Sequence, residues 1–169
     1  LAKIMPLQKV IDIACGIGSL TMAISKNAVS VKGIDISDEM IAYAARSARK
    51  KGITNAEFEV HDASDLSDFR DDEFDIAITS MAVHQFEAGL AIKILSEMKR
   101  IALKVIIADY NCLMTKNFSR TVAISIEKFA AGEHYRNFRN YMEKGGIKYF
   151  TDKAGLVIRS KTIKSNGVL

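Results

Sequence analysis

Apolar and polar positions along this chain follow two rhythms, and the switches between them mark out the elements. Val10-Ile11-Asp12-Ile13-Ala14 is apolar almost throughout, as expected of a strand buried on both faces. Cys15, Gly16 and Gly18 follow. Leu20, Ala23 and Ile24 then fall on one face of a short helix ending near Asn27. Residues 29–34 predict a second strand. Met40, Ile41, Ala44, Ala45 and Ala48 predict the inner face of a helix capped by Ser37 and closed by Gly52. Phe58 and Val60 mark a third strand, and residues 74–80 a fourth. Leu90, Ile94, Leu95, Met98 and Ile101 form a helical stripe, followed by a fifth strand over 104–109.

Beyond the fifth strand the rhythm breaks. Residues 117–145 predict a helical insertion with Val122, Ile126, Phe129 and Ala130 on one face, stopped by Gly145-Gly146. A short helix over 150–154 and a sixth strand over 156–163 are expected next. Asn166-Gly167 is a hairpin signal with only two residues after it, so a seventh strand is short or truncated. Strands alternating with helices imply an α/β fold. The expected form is a doubly wound, mostly parallel sheet with right-handed crossovers in one domain spanning 1–169.

Composition narrows the picture. The 169 residues are 49% hydrophobic and 26% charged, enough for a real core. No apolar run reaches the ~20 residues of a membrane span, and residues 1–7 lack the apolar stretch of a signal peptide. A cytoplasmic location is therefore expected. Cys15 and Cys112 suit a reducing compartment and have no metal-ligand spacing. The net charge of +4 is uneven: residues 1–109 carry −3 and residues 110–169 carry +7. The basic half could face an anionic partner, although such charges more often solvate a surface. The acidic run from Asp65 to Asp75 reads as a solvated loop rather than a metal site. No metal is expected, and the oligomeric state is not legible.

The chemistry centres on Asp12-Ile13-Ala14-Cys15-Gly16-Ile17-Gly18. Such a strand–turn–helix junction is where open α/β sheets bind ligands, and glycines there let a ligand approach the backbone. The segment resembles motif I of class I S-adenosylmethionine (SAM)-dependent methyltransferases, with Ala14 at the usual first glycine. A dinucleotide-binding turn would want a small residue where Thr21 stands, which makes an NAD(P)-dependent oxidoreductase the weaker alternative.

The resemblance extends along the chain through Asp35, Asp62, Ser80 to His84, and Asp109. It implies strand order 3-2-1-4-5-(7)-6 and SAM as methyl donor, with S-adenosylhomocysteine as product. Asp12, Ala14, Gly16 and Gly18 would form the cofactor turn. Asp35 would accept the ribose hydroxyls, and Ile36 would pack on the adenine. Asp62 and the Ala63 N–H would read the adenine edge, while Ser80 would line the methionine end. The reaction would be direct displacement on a small-molecule acceptor, with His84 as first candidate base and His134 and Tyr135 next.

Relatives usually carry a proline and paired glycines before the fifth strand, where this chain has Ile101-Ala102-Leu103. The chain has neither the Asn-Pro-Pro-Tyr type motif of adenine-N6 DNA methyltransferases nor a Pro-Cys pair for cytosine C5 attack. A nucleic-acid acceptor is possible but not favoured. A non-catalytic module that binds SAM or a nucleotide is the rival from another class.

Overall fold

A computed structural model describes Met5 and residues 8–112, 121, 124–125, 127–129 and 132–163. The chain groups into two compact units. The first comprises Leu1–Ser80 with Glu97–Ile107, and the second Met81–Ser96 with Ala108–Leu169.

The first unit is built on the apolar strands that the pattern predicts. These are β1 (Lys9–Ile13), β2 (Ser30–Asp35), β3 (Ala56–Val60) and β4 (Phe74–Ser80). With β5 (Ala102–Ala108) they form one sheet of order β3-β2-β1-β4-β5. β1 runs parallel to β2 and β4, and β2 parallel to β3. Central β1 buries Val10, Ile11, Asp12 and Ile13, which explains a pattern that is apolar but for Asp12. One core cluster gathers Val10, Ile24, Ala28, Val31, Ile76 and Ile78, with Leu20 and Ile106 packed against it.

Two helices flank these strands in the chain. α1 (Ser19–Ile24) buries Thr21, Met22 and Ile24. The expected face of Leu20, Ala23 and Ile24 is thus rotated, and Ala23 is exposed. α2 (Asp38–Lys50) begins where Ser37 Oγ accepts the Met40 N–H, carries Asp38 and Glu39 in its first turn, and ends with Arg49 and Lys50. That polarity suits the helix dipole. Ile41, Ala44 and Ala48 are buried as expected, whereas Met40 points outward. Gly52, at φ 68°, terminates the helix in the left-handed conformation that glycine adopts freely.

α3 (Ala88–Ile101) buries Ala91, Ile94, Leu95, Met98 and Ile101, and β5 starts at the next residue. The expected connecting turn does not exist. The Arg100 carbonyl accepts the Asp72 N–H. The Arg100 guanidinium binds the Leu66 and Phe69 carbonyls at 2.7 and 2.9 Å and the carboxylates of Asp71 and Glu97 at 2.8 Å each. One side chain thus ties the acidic loop to the helix end. Asp68, Asp71 and Asp72 are exposed, in keeping with a solvated loop.

The second unit contains a 3-10 turn (Val83–Gln85), helical residues within 121–129, α4 (Gly132–Glu143) and α5 (Ile147–Lys153). Gly145 (φ 93°) and Gly146 (φ 67°) break the chain between α4 and α5. Tyr141 is fully buried; its ring stacks on Phe150 and its hydroxyl donates to the Tyr110 carbonyl at 2.9 Å.

Two expectations fail here. Residues 156–163 are not a strand. Val157 and Ile163 are exposed, and the segment has no ladder partner among the described residues. An apolar run becomes a strand only when a neighbour satisfies its backbone groups. Phe129 is also not on a buried face: it is 94% exposed, and Glu127 is buried. The expected positions Val122, Ile126 and Ala130 and the Asn166-Gly167 hairpin lie outside the described residues.

Candidate functional site

The turn after β1 is held by a contact across 19 positions. The Gly16 N–H donates to Asp35 Oδ2 at 2.8 Å. The other carboxylate oxygen, Oδ1, accepts the Ser37 N–H at 3.0 Å. Beside this pair, Cys15 N–H donates to the Ile34 carbonyl and Gly18 N–H to the Cys15 carbonyl. Asp35 therefore fixes the turn to the end of β2 and still has lone pairs for further donors.

The two glycines serve different ends. At Gly16 (φ 54°) a Cβ would meet nothing within 4 Å, so the backbone faces open space. At Gly18 (φ 73°) a Cβ would sit 2.5 Å from the Phe58 ring and 2.9 Å from Ala44 Cβ. Gly18 is thus required by internal packing; the close ligand approach expected of both glycines is open only at Gly16. Ala14 also adopts a left-handed conformation, φ 56°, at the position where glycine was the expected family residue.

Asp12 is the penultimate residue of β1. It is 1% exposed and accepts the Thr21 hydroxyl at 2.6 Å. Burial pushes its carboxyl up to about 7, opposed by the Thr21 hydrogen bond. Burial, then the charges of Asp12 and Asp35, push the Cys15 thiol up to about 12. Ile36, just past β2, is 73% exposed. Asp62 follows β3 and forms a tight turn in which Oδ1 accepts the Ser64 N–H at 2.8 Å. Ser80 ends β4 and is half-buried.

A second cluster lies wholly within the second unit. The Asp109 carboxylate accepts the His84 Nδ1–H at 2.6 Å, the His84 backbone N–H at 3.2 Å and the Tyr110 N–H at 2.7 Å. A carboxylate only accepts, so the proton is assigned to Nδ1 and Nε2 is left facing away. His84 Nε2 lies 3.5 Å from Glu127 Oε1, and His134 Nε2 lies 3.5 Å from Glu127 Oε2. The Tyr110 hydroxyl donates to Glu127 Oε1 at 2.9 Å; burial and the neighbouring Glu127 push that phenol upward. Phe138 and Tyr141 close around the His84 ring. Of the three catalytic candidates, His84 and His134 come together here, while Tyr135 stacks on Phe138.

Thr21, which donates to Asp12, and Glu127, which accepts from Tyr110, are site contacts that sequence reasoning missed. In the sequence Thr21 stands out only as a position of the dinucleotide motif. Glu127 had one available signal, a charge inside an apolar helical stretch.

The parallel sheet, glycine turn and paired acid define an α/β domain of the class I, Rossmann-like methyltransferase type. The family described as "Methyltransferase domain" matches residues 10–105, more than half of the chain, and the chain belongs to that family. It is 36% identical over 78 residues to an uncharacterized methyltransferase, YcgJ, of Bacillus subtilis; the match covers 46% of this chain and 30% of that protein. The crystal structure of YcgJ superposes with a TM-score of 0.60 at 29% identity, over 64% of this chain and 47% of that one.

A putative methyltransferase of Bacillus halodurans shares the fold over 91% of this chain and 64% of its own, with TM-score 0.67 and 20% identity. A 23S rRNA (uracil-C5) methyltransferase of Methylococcus capsulatus is 39% identical over 59 residues, 35% of this chain and 13% of that protein. The chain thus spans less than a third of the length of these curated relatives.

Proposed function

We propose that this protein transfers a methyl group from SAM to a small-molecule acceptor. The observation that carries this reading is the Asp35 carboxylate clamping the Gly16 N–H at 2.8 Å beside a backbone that faces open space. A donor bound there supplies a methyl group on a sulfonium, which leaves as a neutral thioether.

The residues fit such a ligand. The turn around Gly16 can approach it, with Asp12, Ala14 and Gly18 holding the turn's shape from within. Asp35, with lone pairs left beyond the Gly16 and Ser37 N–H groups, would accept ribose hydroxyls. Exposed Ile36 offers an apolar surface for a base, and Asp62, Ala63 and Ser80 lie at or just beyond the carboxyl ends of β3 and β4. Holding the reactants in line can supply ~7–11 kcal/mol of the acceleration. The reading therefore asks no general base of His84, His134 or Tyr135.

A small acceptor is preferred to RNA for two reasons. The stretch shared with the rRNA enzyme is short. In addition, Arg136, Arg139 and Lys148 each pair with an acid one turn away on their own helices, Glu133, Glu143 and Asp152. Charges paired in this way offer less to a phosphate backbone.

Calorimetry decides the cofactor. SAM or S-adenosylhomocysteine should bind one per chain and NADH should not, and Asp35→Ala should weaken SAM at least ~10-fold. Binding of NADH in place of SAM would overturn the reading. Methyl transfer to a panel of small molecules and RNAs separates an enzyme from a module that only binds the cofactor.

A further inference from the structure

The cluster around His84 has an unusual feature for a protein interior. His84 Nε2 and Glu127 Oε2 are both buried and have no hydrogen-bond partner among the described residues. Buried polar atoms are nearly always satisfied, and an orphan calls for a partner such as a water or an ion. Here two orphans lie together, with His134 Nε2 beside them.

We infer that His84, Glu127 and His134 form a binding site for a divalent transition metal, with Zn²⁺ the first expectation. The three ligand atoms lie within 4.8 Å of one another. The 3.5 Å gaps from each histidine nitrogen to the glutamate are long for charge-assisted hydrogen bonds, which run ~2.7–2.9 Å. The gap from His134 Nε2 to Oε2 is close to the ~3.4 Å edge of a tetrahedron whose metal bonds are ~2.1 Å, while that from His84 Nε2 runs to the other carboxylate oxygen, Oε1. Two imidazoles and one carboxylate are a donor set that suits zinc and its neighbours.

The surroundings are those a metal needs. Asp109 takes the Nδ1–H of His84, which turns the Nε2 lone pair outward and fixes the ring. Tyr110 holds Glu127 by Oε1, leaving Oε2 for the ion. A doubly charged ion would balance the buried carboxylates of Glu127 and Asp109. Three protein ligands leave one tetrahedral position for water or another small ligand. His134 is the most accessible of the three, with a third of its side chain exposed. On this reading His84 and His134 are ligands, not the free bases expected from the sequence. The inference stands apart from the methyl-transfer reading, because the ion is sought without SAM.

The test uses the full, tag-free chain, stripped with a chelator and titrated with ZnCl₂ by calorimetry. Co²⁺ serves as a second probe, read by its visible spectrum. One ion per chain should bind, and the spectrum should be that of a tetrahedral nitrogen–oxygen site. His134→Ala and Glu127→Gln should each weaken Zn²⁺ at least ~10-fold, and Asp109→Asn ~10–100-fold. Circular dichroism checks the fold of each variant; if Glu127→Gln does not fold, the partly exposed His134 decides alone. Absence of stoichiometric Zn²⁺ and Co²⁺ binding would overturn the site, as would affinity unchanged in His134→Ala.

Discussion

Gly16 and Asp35 are 19 positions apart in sequence and joined by a 2.8 Å hydrogen bond from backbone to carboxylate. Because Asp35 also holds the Ser37 N–H, it is a structural clamp as well as a candidate ligand group. Asp35→Asn keeps one good acceptor but turns an amide N–H₂ toward the other donor. Leaving one partly buried N–H unsatisfied costs about 1–3 kcal/mol. Urea unfolding should show a loss of that size in the absence of any cofactor, and an unchanged midpoint would remove the clamp from the account.

The two glycines of the turn should respond differently to alanine. Gly18→Ala drives a Cβ into the Phe58 ring and Ala44, so it should destabilise the fold by roughly 1–3 kcal/mol beyond the cost of its positive φ. Gly16→Ala meets no neighbour and should lose only the roughly 1–2 kcal/mol of its left-handed backbone. Its added methyl enters the space proposed for the cofactor, so SAM affinity should fall sharply. Comparing denaturation midpoints with SAM calorimetry separates the two effects, and equal stability losses would contradict the assignment.

Ala14 adopts φ 56°, a region that costs a residue with a Cβ roughly 1–2 kcal/mol. Ala14→Gly relieves this and gives back part of the gain through the freer unfolded chain. Unfolding free energy should stay within about 0.5 kcal/mol or rise by up to about 1 kcal/mol. A clear loss of stability would show that the Ala14 methyl contributes more by packing than its backbone costs.

The buried Asp12 gives the fold a pH dependence of known sign. Its carboxyl is pushed up to about 7 from an ordinary 3.8. Between those values the folded chain keeps a proton that the unfolded chain has lost, so stability falls as pH rises. Asp12→Asn keeps an acceptor for the Thr21 hydroxyl and removes the titration. Thermal unfolding from pH 4 to 8 should show a shallower decline in the variant than in the parent, and parallel profiles would exclude Asp12 as the source.

The strand and helix pattern through residue 108 was legible in the sequence because each element carries its own periodic signal. A strand buried on both faces is mostly apolar, as in β1 and β4. A helix on a sheet must place its apolar residues every three or four positions, as in α3. The turn could be read too, since few residues adopt a left-handed backbone and the acid that ends β2 stands at a regular distance.

The misreadings began where a signal depended on a partner. Residues 156–163 looked like a strand, but no edge pairs with them among the described residues. Met40 looked buried because periodicity does not say how wide the covered stripe is. Gly18 looked like a ligand contact, and only the packed structure brings Phe58 against it. The gathering of His84, Asp109, Glu127 and His134 was invisible for the same reason. Their separations along the chain follow no motif, and it is the folding of the 3-10 turn, the end of β5 and the later helices that places four ionisable groups within reach of one another. Local backbone and burial preferences are written residue by residue, whereas a site assembled from distant segments exists only once the chain has closed around it.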